Sequence, residues 1–581
     1  MYAPIFFHDK KTNKVDFFST DDGAKVSDSL CFFEGCGVVS GVFVKNAIDL
    51  KNVEGIEDLS LEDDYLRCSG SYCIYIVREG KFKIYPDPLG ACLLYKYDSA
   101  SITAYSSDLD ALVDYISNRG ESVNPDPLYM AMLLKMGNGG FGVSSYKNIS
   151  VISPRVYIEL GCSGVKEKEY FTILPEDINE DNYEKYKRLA LNDIRQNIKA
   201  IKKSAVSNII CHLTGGFDSR LVAAAVAEAE LVGRASFFCS GPEALDDKRI
   251  AYGIAGLLGW PLTEFNGLQG DRGEVFEGIA LGVKFSSGMR SSSPVNENHK
   301  RNEDFLILSG GYGECYRSFY SKKANEFENG SFWREKQALT QEANRNIEIL
   351  TKHYIEEKQK EGFPLGVALD LMYVEQRNRY FVGNIATLFS RKTARFDPLY
   401  SVNAVKAALC LDDGKRQDNY LGYELMREIG EKVLKVEFNE NKFGKSVYEM
   451  YSEAGKKTVP LSRPKSFIYQ EMCRVTKPSR PTGYKDEEMY LAKKLKATPW
   501  QVNNYSGVKK KCIELINNKS LPDDFGGVLN ISYIEKLCNE VAPKNRVELR
   551  ALYSIYSVLI FVGICSERRD CLSTDGNGGV N

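Results

Sequence analysis

Asn208-Ile209-Ile210-Cys211-His212-Leu213-Thr214-Gly215-Gly216-Phe217-Asp218-Ser219-Arg220 is the stretch whose reading decides the fold. Its first six residues read as a short buried strand, and Leu221 to Leu231 reads as an alanine-rich helix. Between them stand two glycines. Glycine lets the backbone turn sharply and point N–H groups inward with no Cβ in the way. A helix start adds unsatisfied N–H groups and partial positive charge. Thr214 and Ser219 bring hydroxyls suited to phosphate oxygens. A strand–loop–helix crossover puts its ligand at the carboxyl end of a parallel sheet. The Walker A and Gly-x-Gly-x-x-Gly spacings are both absent. The plainer alternative is a Gly-Gly turn with Asp218 as the helix N-cap.

Working outward, Ala235–Cys239 and Asp304–Leu308 read as further strands, with a helix from Asp247 to Leu258 between them. Strands alternating with helices predict a doubly wound parallel sheet of the α/β class. Upstream the pattern differs. Tyr72–Val77, Lys81–Tyr85, Cys92–Tyr97, Ile102–Ser106 and Val156–Leu160 are short β-rich runs separated by turns, which predicts an antiparallel β-sandwich and an α+β element overall. After about residue 330 the chain reads as mainly helical. The expected organisation is an N-terminal domain over 1–175, a second domain over 180–565 and a disordered tail over 566–581.

Bulk properties exclude several classes. The chain has 581 residues, 43% hydrophobic and 27% charged, with a formal net charge of −2. No global field attracts nucleic acid or an anionic membrane. The start Met1-Tyr2-Ala3-Pro4 has no basic n-region and no long apolar core, so no secretory signal is expected. Ala551–Cys565, the most apolar run, falls short of the roughly 20 residues of a membrane span. A soluble, cytoplasmic protein is expected. Fifteen cysteines contain no Cys-x-x-Cys pair and read as free, mostly buried thiols. Four scattered histidines argue against a zinc site, and no Gly-x-Ser-x-Gly elbow precedes a helix.

Thr214–Arg220 resembles the Ser/Thr-Gly-Gly-x-Asp-Ser pyrophosphatase loop of the asparagine synthetase superfamily. In that family the loop grips the phosphates of ATP and leaves pyrophosphate after AMP passes to a carboxylate. The resemblance implies ATP at Leu213, Thr214, Gly215, Gly216, Phe217, Asp218, Ser219 and Arg220, with Asp218 holding magnesium. Ser240-Gly241 is similar to the family's strand end near the adenine, and Asp247, next to Asp246, to its acid before an Ala-rich helix. Ser309-Gly310-Gly311-Tyr312-Gly313-Glu314 resembles the second glycine-rich loop, which binds pyrophosphate and the other face of the magnesium. There Glu314 takes the place of an Asp, and Arg317 is expected to pair with pyrophosphate. Tyr312 stands one residue late for the Tyr of a proton-transfer dyad in β-lactam-forming relatives. Glu375 is its candidate partner, with a structural salt bridge as the other reading. Phe396-Asp397-Pro398-Leu399-Tyr400-Ser401 resembles a segment beside the substrate pocket, with Ser401 where Asp is usual. Asn441-Lys442-Phe443-Gly444-Lys445 resembles the Arg-x-Lys segment, so Lys442 or Lys445 is expected to stabilise charge at the α-phosphate.

The N-terminal region has its own resemblance. Asp87-Pro88-Leu89-Gly90, Leu93-Leu94-Tyr95 and Thr103–Asp108 look like segments of class II glutamine amidotransferase domains. Those domains use an N-terminal Cys as nucleophile. Here Tyr2 stands in its place, the nearest cysteines are Cys31 and Cys36, and no Arg stands between Asp87 and Gly90. The implied glutaminase is therefore expected to be lost and the domain to serve as scaffold. Within the superfamily, that loss marks β-lactam synthetases, carbapenam synthetases and lasso-peptide cyclases, where a tethered amine gains from proximity. The expected function is an ATP-dependent, AMP-forming ligase joining a carboxylate to an amine from elsewhere. ATP and Mg2+ are the expected cofactors. A small-molecule or peptide carboxylate is the expected partner, with no nucleic acid and no membrane, and a homo-oligomer is left open. An ammonia-using asparagine synthetase and a non-catalytic nucleotide-binding or scaffold protein are the alternatives.

Overall fold

The computed structural model describes residues 3–56, 67–169, 172–239, 246–262, 275–289, 302–390, 393–440, 442–451, 485–497, 499–517 and 523–575. The first half holds two antiparallel sheets. One runs in the order β10 (Ile149–Val151), β8 (Tyr95–Asp98), β9 (Ile102–Ser106), β1 (Ile5–Asp9), β2 (Lys14–Phe18). The other runs β12 (Gly164–Glu169), β11 (Val156–Gly161), β7 (Lys81–Pro86), β6 (Ser69–Arg78), β4 (Ser29–Val39), β3 (Ala24–Val26), with β5 (Val42–Val44) on β4. Strand period 2 sends alternate side chains to opposite faces. On β6, Cys73 and Tyr75 enter a core between the sheets with Phe6, Phe32, Phe82 and Tyr105. Tyr72, Ile74 and Ile76 enter a second core on the outer face. The two sheets thus form the expected sandwich.

The outer faces of that sandwich are covered by helices and loops from both halves of the chain. Beyond the β6 face lie Ile194, Ile198 and Ile201 of the Tyr183–Lys203 helix, together with Leu399 and Tyr400. Phe43 of β5 meets Phe396 edge-on at 5.7 Å. Beyond the other sheet, Ile5, Tyr97 and Ile102 pack with Leu112 and Met130 from helices Leu109–Asn118 and Pro127–Met136. Ile279, Leu552 and Leu559 join the same core from far along the chain. The hydrophobic cores on either side of residue 175 are continuous.

The second half builds a four-stranded parallel sheet in the order β14 (Ala235–Phe238), β13 (Asn208–His212), β15 (Asn302–Leu308), β16 (Thr393–Phe396). From β13 the chain passes to one side, to β14, and then back across to β15 on the other. The order reverses between β13 and β15, which makes their carboxyl ends a switch point of the kind where open α/β sheets take ligands. β16 was absent from the sequence reading, because four residues with a central arginine carry no periodic signal.

Helices dominate after residue 330, as expected. The longest is Arg546–Asp575, which reaches beyond the apolar run on both sides because polar residues continue it. The tail expected from residue 566 is therefore helical as far as Asp575. Among the described residues one stretch, Arg546–Ser566, is long and apolar enough to cross a membrane, and 72% of its most apolar part is buried inside the protein. The described cysteines are thiols outside any disulfide, and all but Cys162 are buried.

A π-helix, Tyr373–Gly383, ties the halves together. Arg379 Nε donates to Gly90 O (2.9 Å) and Nη2 to Ile152 O (2.8 Å). Arg377 reaches Asn138 Oδ1 (3.0 Å), and Gln376 Oε1 accepts from Phe141 N–H (2.6 Å). Gly90 has φ +61, and a Cβ there would meet Arg379 at 2.6 Å, so glycine is required on both counts. Beside it, buried Asp87 accepts from the Tyr400 hydroxyl (2.6 Å) and from Ala91 and Cys92 N–H (2.8 Å each). Replacing Arg379 by Met strands two buried carbonyls. We expect Arg379→Met to lower unfolding free energy by about 2–4 kcal/mol in chemical denaturation. An unchanged denaturation midpoint would place the hold between the halves elsewhere.

Candidate functional site

The β13 loop closes on its own hydroxyls. Thr214 N–H donates to Ser219 Oγ (3.1 Å), the two side-chain oxygens meet at 2.8 Å, and Gly216 N–H donates to Thr214 Oγ1 (3.1 Å). Helix Asp218–Glu228 follows, with Phe217 at its N-cap and no side-chain cap hydrogen bond. The alternative of Asp218 as N-cap does not hold. Asp218 is the first helical residue, and its carboxylate turns to Arg317 instead. An uncapped helix start beside two glycines leaves N–H groups and positive partial charge for an anion.

The β15 loop comes to meet it. Gly310 and Gly313 lie against Asp218 so closely that a Cβ on Gly310 would stand 2.8–2.9 Å from its atoms and one on Gly313 would overlap its carboxylate. Arg317 Nη1 and Nη2 donate to the two Asp218 carboxylate oxygens at 2.8 and 3.1 Å, and Nη2 also donates to Glu314 Oε1 at 2.6 Å. Burial alone lowers the Arg317 pKa, but Asp218 and then Glu314 drive it above its ordinary value. Asp397 caps the same loop: its Oδ2 accepts from Tyr312 N–H (2.8 Å) and its Oδ1 from Leu399 N–H (3.0 Å). Ser309 accepts from Arg395 Nε at 3.4 Å. His212, at the end of β13, is pushed down to about 4 by burial and by Arg395, so it is neutral at pH 7.

Asp247 belongs to the site. Its Oδ1 accepts from Gly215 N–H (3.1 Å) and from Asn439 Nδ2 (2.7 Å), while Asn439 N–H donates to Gly215 O (3.1 Å). Asn439 escaped the sequence reading because one polar residue in a loop carries no spacing signal. Ser240 lies outside the described residues.

Several expectations are corrected. Arg220 does not face the loop. Successive helical residues turn by about 100°, so residue 220 points some 200° away from residue 218. Its guanidinium is fully buried and donates to Val433 O (3.0 Å), Val436 O (2.7 Å), Glu437 O (2.7 Å) and, at 3.4 Å, Gly215 O. Burial pushes its pKa down to about 9. Leu213 and Phe217 also bury their side chains, leaving only backbone for a ligand.

Glu375 takes the salt-bridge reading and is not paired with Tyr312. Its carboxylate is bound by Tyr354 (2.8 Å), Arg155 (3.2 Å) and Lys358 (3.3 Å), within the contact between the halves. Burial raises its pKa, but Lys358 and Arg155 outweigh that and hold it below the usual carboxylate range. Tyr312 is buried with its ring 4.7 Å from that of Tyr400, and burial pushes its phenol well up. Lys445 is 84% exposed and pairs with Glu449 at 3.4 Å. Lys442 pairs with Glu440 at 3.4 Å. Ser401 caps its helix through Ala404 N–H (3.0 Å) and donates to Asp193 (2.6 Å).

Asp218 and Glu314 were the expected magnesium ligands. Among the described residues no group of three or more His, Cys, Asp or Glu is placed to hold a metal ion. Magnesium asks for near-octahedral oxygens at about 2.0–2.1 Å. Here the Arg317 guanidinium takes up both Asp218 oxygens and one of Glu314. As arranged, these residues do not fit the ion.

No known protein-family profile matches the chain, and no curated protein matches it. Among solved structures it is similar to the glutamine phosphoribosylpyrophosphate (PRPP) amidotransferase from B. subtilis complexed with ADP and GMP, at 12% identity and TM-score 0.18, over 54% of this chain and 70% of that one. It is also similar to the allosteric regulatory enzyme of purine biosynthesis, at 13% identity and TM-score 0.15, over 36% of this chain and 44% of that one.

Two predictions follow from this geometry. Arg220→Met strands buried carbonyls and is expected to cost about 3 kcal/mol or more of stability. A variant of wild-type stability but weakened pyrophosphate binding would return Arg220 to the phosphate site. The second concerns Asp397, whose carboxyl burial raises from 3.8 to about 7. The folded chain then binds this proton more tightly than the unfolded one, so the contribution is full below about pH 4 and is lost as pH rises through about 7. It amounts to about 4 kcal/mol at roughly 1.4 kcal/mol per decade. Melting curves from pH 4 to 7 should fall less steeply for Asp397→Asn than for the wild type; parallel curves would remove this assignment.

Proposed function

We propose that the chain is an ATP-dependent, AMP-forming ligase that activates a carboxylate for attack by an amine. One observation carries the reading: two glycine-rich loops meet at the carboxyl ends of β13 and β15, where the strand order reverses, around an uncapped helix start. The Thr214 and Ser219 hydroxyls, the backbone of 215–219 and the Arg317 fork are the groups offered to a triphosphate. The N-terminal sandwich acts in this proposal as scaffold. Asp87, which matched the amidotransferase segment, commits its carboxylate to Tyr400 of the other half, and Cys31 and Cys36 are buried in β4.

A second reading is favoured by the fate of the proton-transfer pair. With Glu375 held by Arg155 and Lys358 and the Tyr312 hydroxyl enclosed, that pair is not assembled, as suits a nucleotide-binding protein without turnover.

The test is a product assay on the purified chain with ATP and a pool of carboxylates and amines. AMP and pyrophosphate are expected, with Ser219→Ala reducing the rate by at least about tenfold. Release of ADP would sink the ligase reading. ATP binding with no AMP would select the second one, and ammonia released from glutamine would remove the scaffold role.

A further inference from the structure

Arg317 sits where the two loops need a cation. It leaves the short turn Gly311–Tyr316 after β15 and reaches across to Asp218 of the β13 side. The chain just beyond it is fixed: Phe319, Tyr320 and Ser321 N–H all donate to Asp370 Oδ1 (3.0–3.1 Å), and Asp370 pairs with buried Arg416 (3.1 Å). The guanidinium also lies over the Phe217 ring, 5.6 Å from its centroid. Its position is set by packing on both sides.

Two carboxylates around one guanidinium leave a net charge of −1 and no free pair of oxygens for a chelated ion. A divalent ion entering here must displace a fixed guanidinium from two-point contact with Asp218. An arginine fork matches phosphate oxygens as well as carboxylate ones. We propose that Arg317 is the resident cation of this cradle, so that it binds a polyphosphate anion without a divalent ion held by the protein. The proposal rests on the reading of the 214–219 loop as a phosphate site. Glu314 is the exchangeable partner. It holds Arg317 by one hydrogen bond where Asp218 uses two, and its side chain is 38% exposed against 23%. An incoming phosphate takes over the Glu314 edge of the fork while Asp218 keeps its own.

This arrangement reverses a sign. If Glu314 ligated a metal, neutralising it would weaken polyphosphate binding. If it competes with the anion for Arg317, neutralising it strengthens binding. The test is calorimetry of inorganic pyrophosphate binding to the intact chain, in EDTA and in magnesium. We expect wild-type affinity in EDTA to lie within about tenfold of that in magnesium. Glu314→Gln should bind severalfold more tightly in EDTA, and Arg317→Met more weakly by about tenfold or more. Arg317→Lys keeps one charge without the fork and should fall between, which separates the effect from misfolding. Manganese alone, followed by electron paramagnetic resonance, supplies a readout free of the phosphate ligand. The wild type should hold no Mn2+ at this site, and Arg317→Met should gain one. Wild-type binding that requires magnesium, weaker binding by Glu314→Gln, or a wild-type Mn2+ site lost on Glu314→Gln each overturns the proposal. If neither pyrophosphate nor ATP binds under any condition, the phosphate reading falls, while the Mn2+ comparison still decides which cation belongs between these carboxylates.

Discussion

The buried guanidinium of Arg220 is the constraint on which the site depends. A charge taken fully out of water is costly unless every donor finds an acceptor. Arg220 offsets most of this cost through its two terminal nitrogens, which donate to the carbonyls of Val433, Val436, Glu437 and Gly215, while its Nε has no acceptor and the ring of Phe438 lies 3.7 Å away. The consequence is structural. Residues 433–438 are drawn onto the helix that follows β13, which delivers Asn439 to Gly215 and Asp247. The loop is shaped from behind by a residue that leaves its ligand face free.

A second set of contacts makes the two halves interdependent. The π-helix Tyr373–Gly383 sends Glu375, Gln376, Arg377 and Arg379 to groups in the first half. A π-turn is wider than an α-turn, and its rarity reflects poorer packing unless neighbours compensate. Here the compensation is visible: most of those partners are backbone groups that lie outside sheet pairing and need a donor or acceptor. The same helix flanks the second glycine loop, since a Cβ on Gly311 would stand 2.6 Å from Val382. Docking of the sandwich and the shape of the β15 loop are therefore coupled through one element.

Much of this was legible from the residues. The β-rich run Tyr72–Val77 lies within β6, and the strand–glycine–helix order at Asn208–Glu228 marked the carboxyl end of a parallel strand. The proximity of the two glycine loops followed from resemblance, and the close approach of Gly310 and Gly313 to Asp218 gives it a physical reason. Other features were not legible, for different causes. Glu375-Gln376-Arg377-Asn378-Arg379 reads from its charges as a polar helix, yet Gln376 and Arg379 are buried because their partners lie over 200 residues away. Arg220 looked like a phosphate ligand through adjacency in the chain, whereas helical rotation carries it to the opposite side. Lys442 and Lys445 were chosen by resemblance of their segment to Arg-x-Lys, and a resemblance in sequence does not say which way a lysine turns.

The acids of the site sharpen the electrostatic argument. Asp218, Asp247, Glu314 and Asp397 surround a place read as anion-binding, and four free carboxylates would repel a polyphosphate. None of them is free. Asp247 is spent on Gly215 N–H and Asn439, and Asp397 on the N–H groups of Tyr312 and Leu399. Burial also raises the Asp397 carboxyl from 3.8 to about 7, which favours its neutral form. Asp218 and Glu314 share Arg317. Each acid thus fixes a piece of loop backbone or a cation, and the helix start and the guanidinium are the positive charge the chain itself sets against them. Carboxylates near a phosphate site need not imply a metal when the chain supplies its own counter-charge in a fixed position.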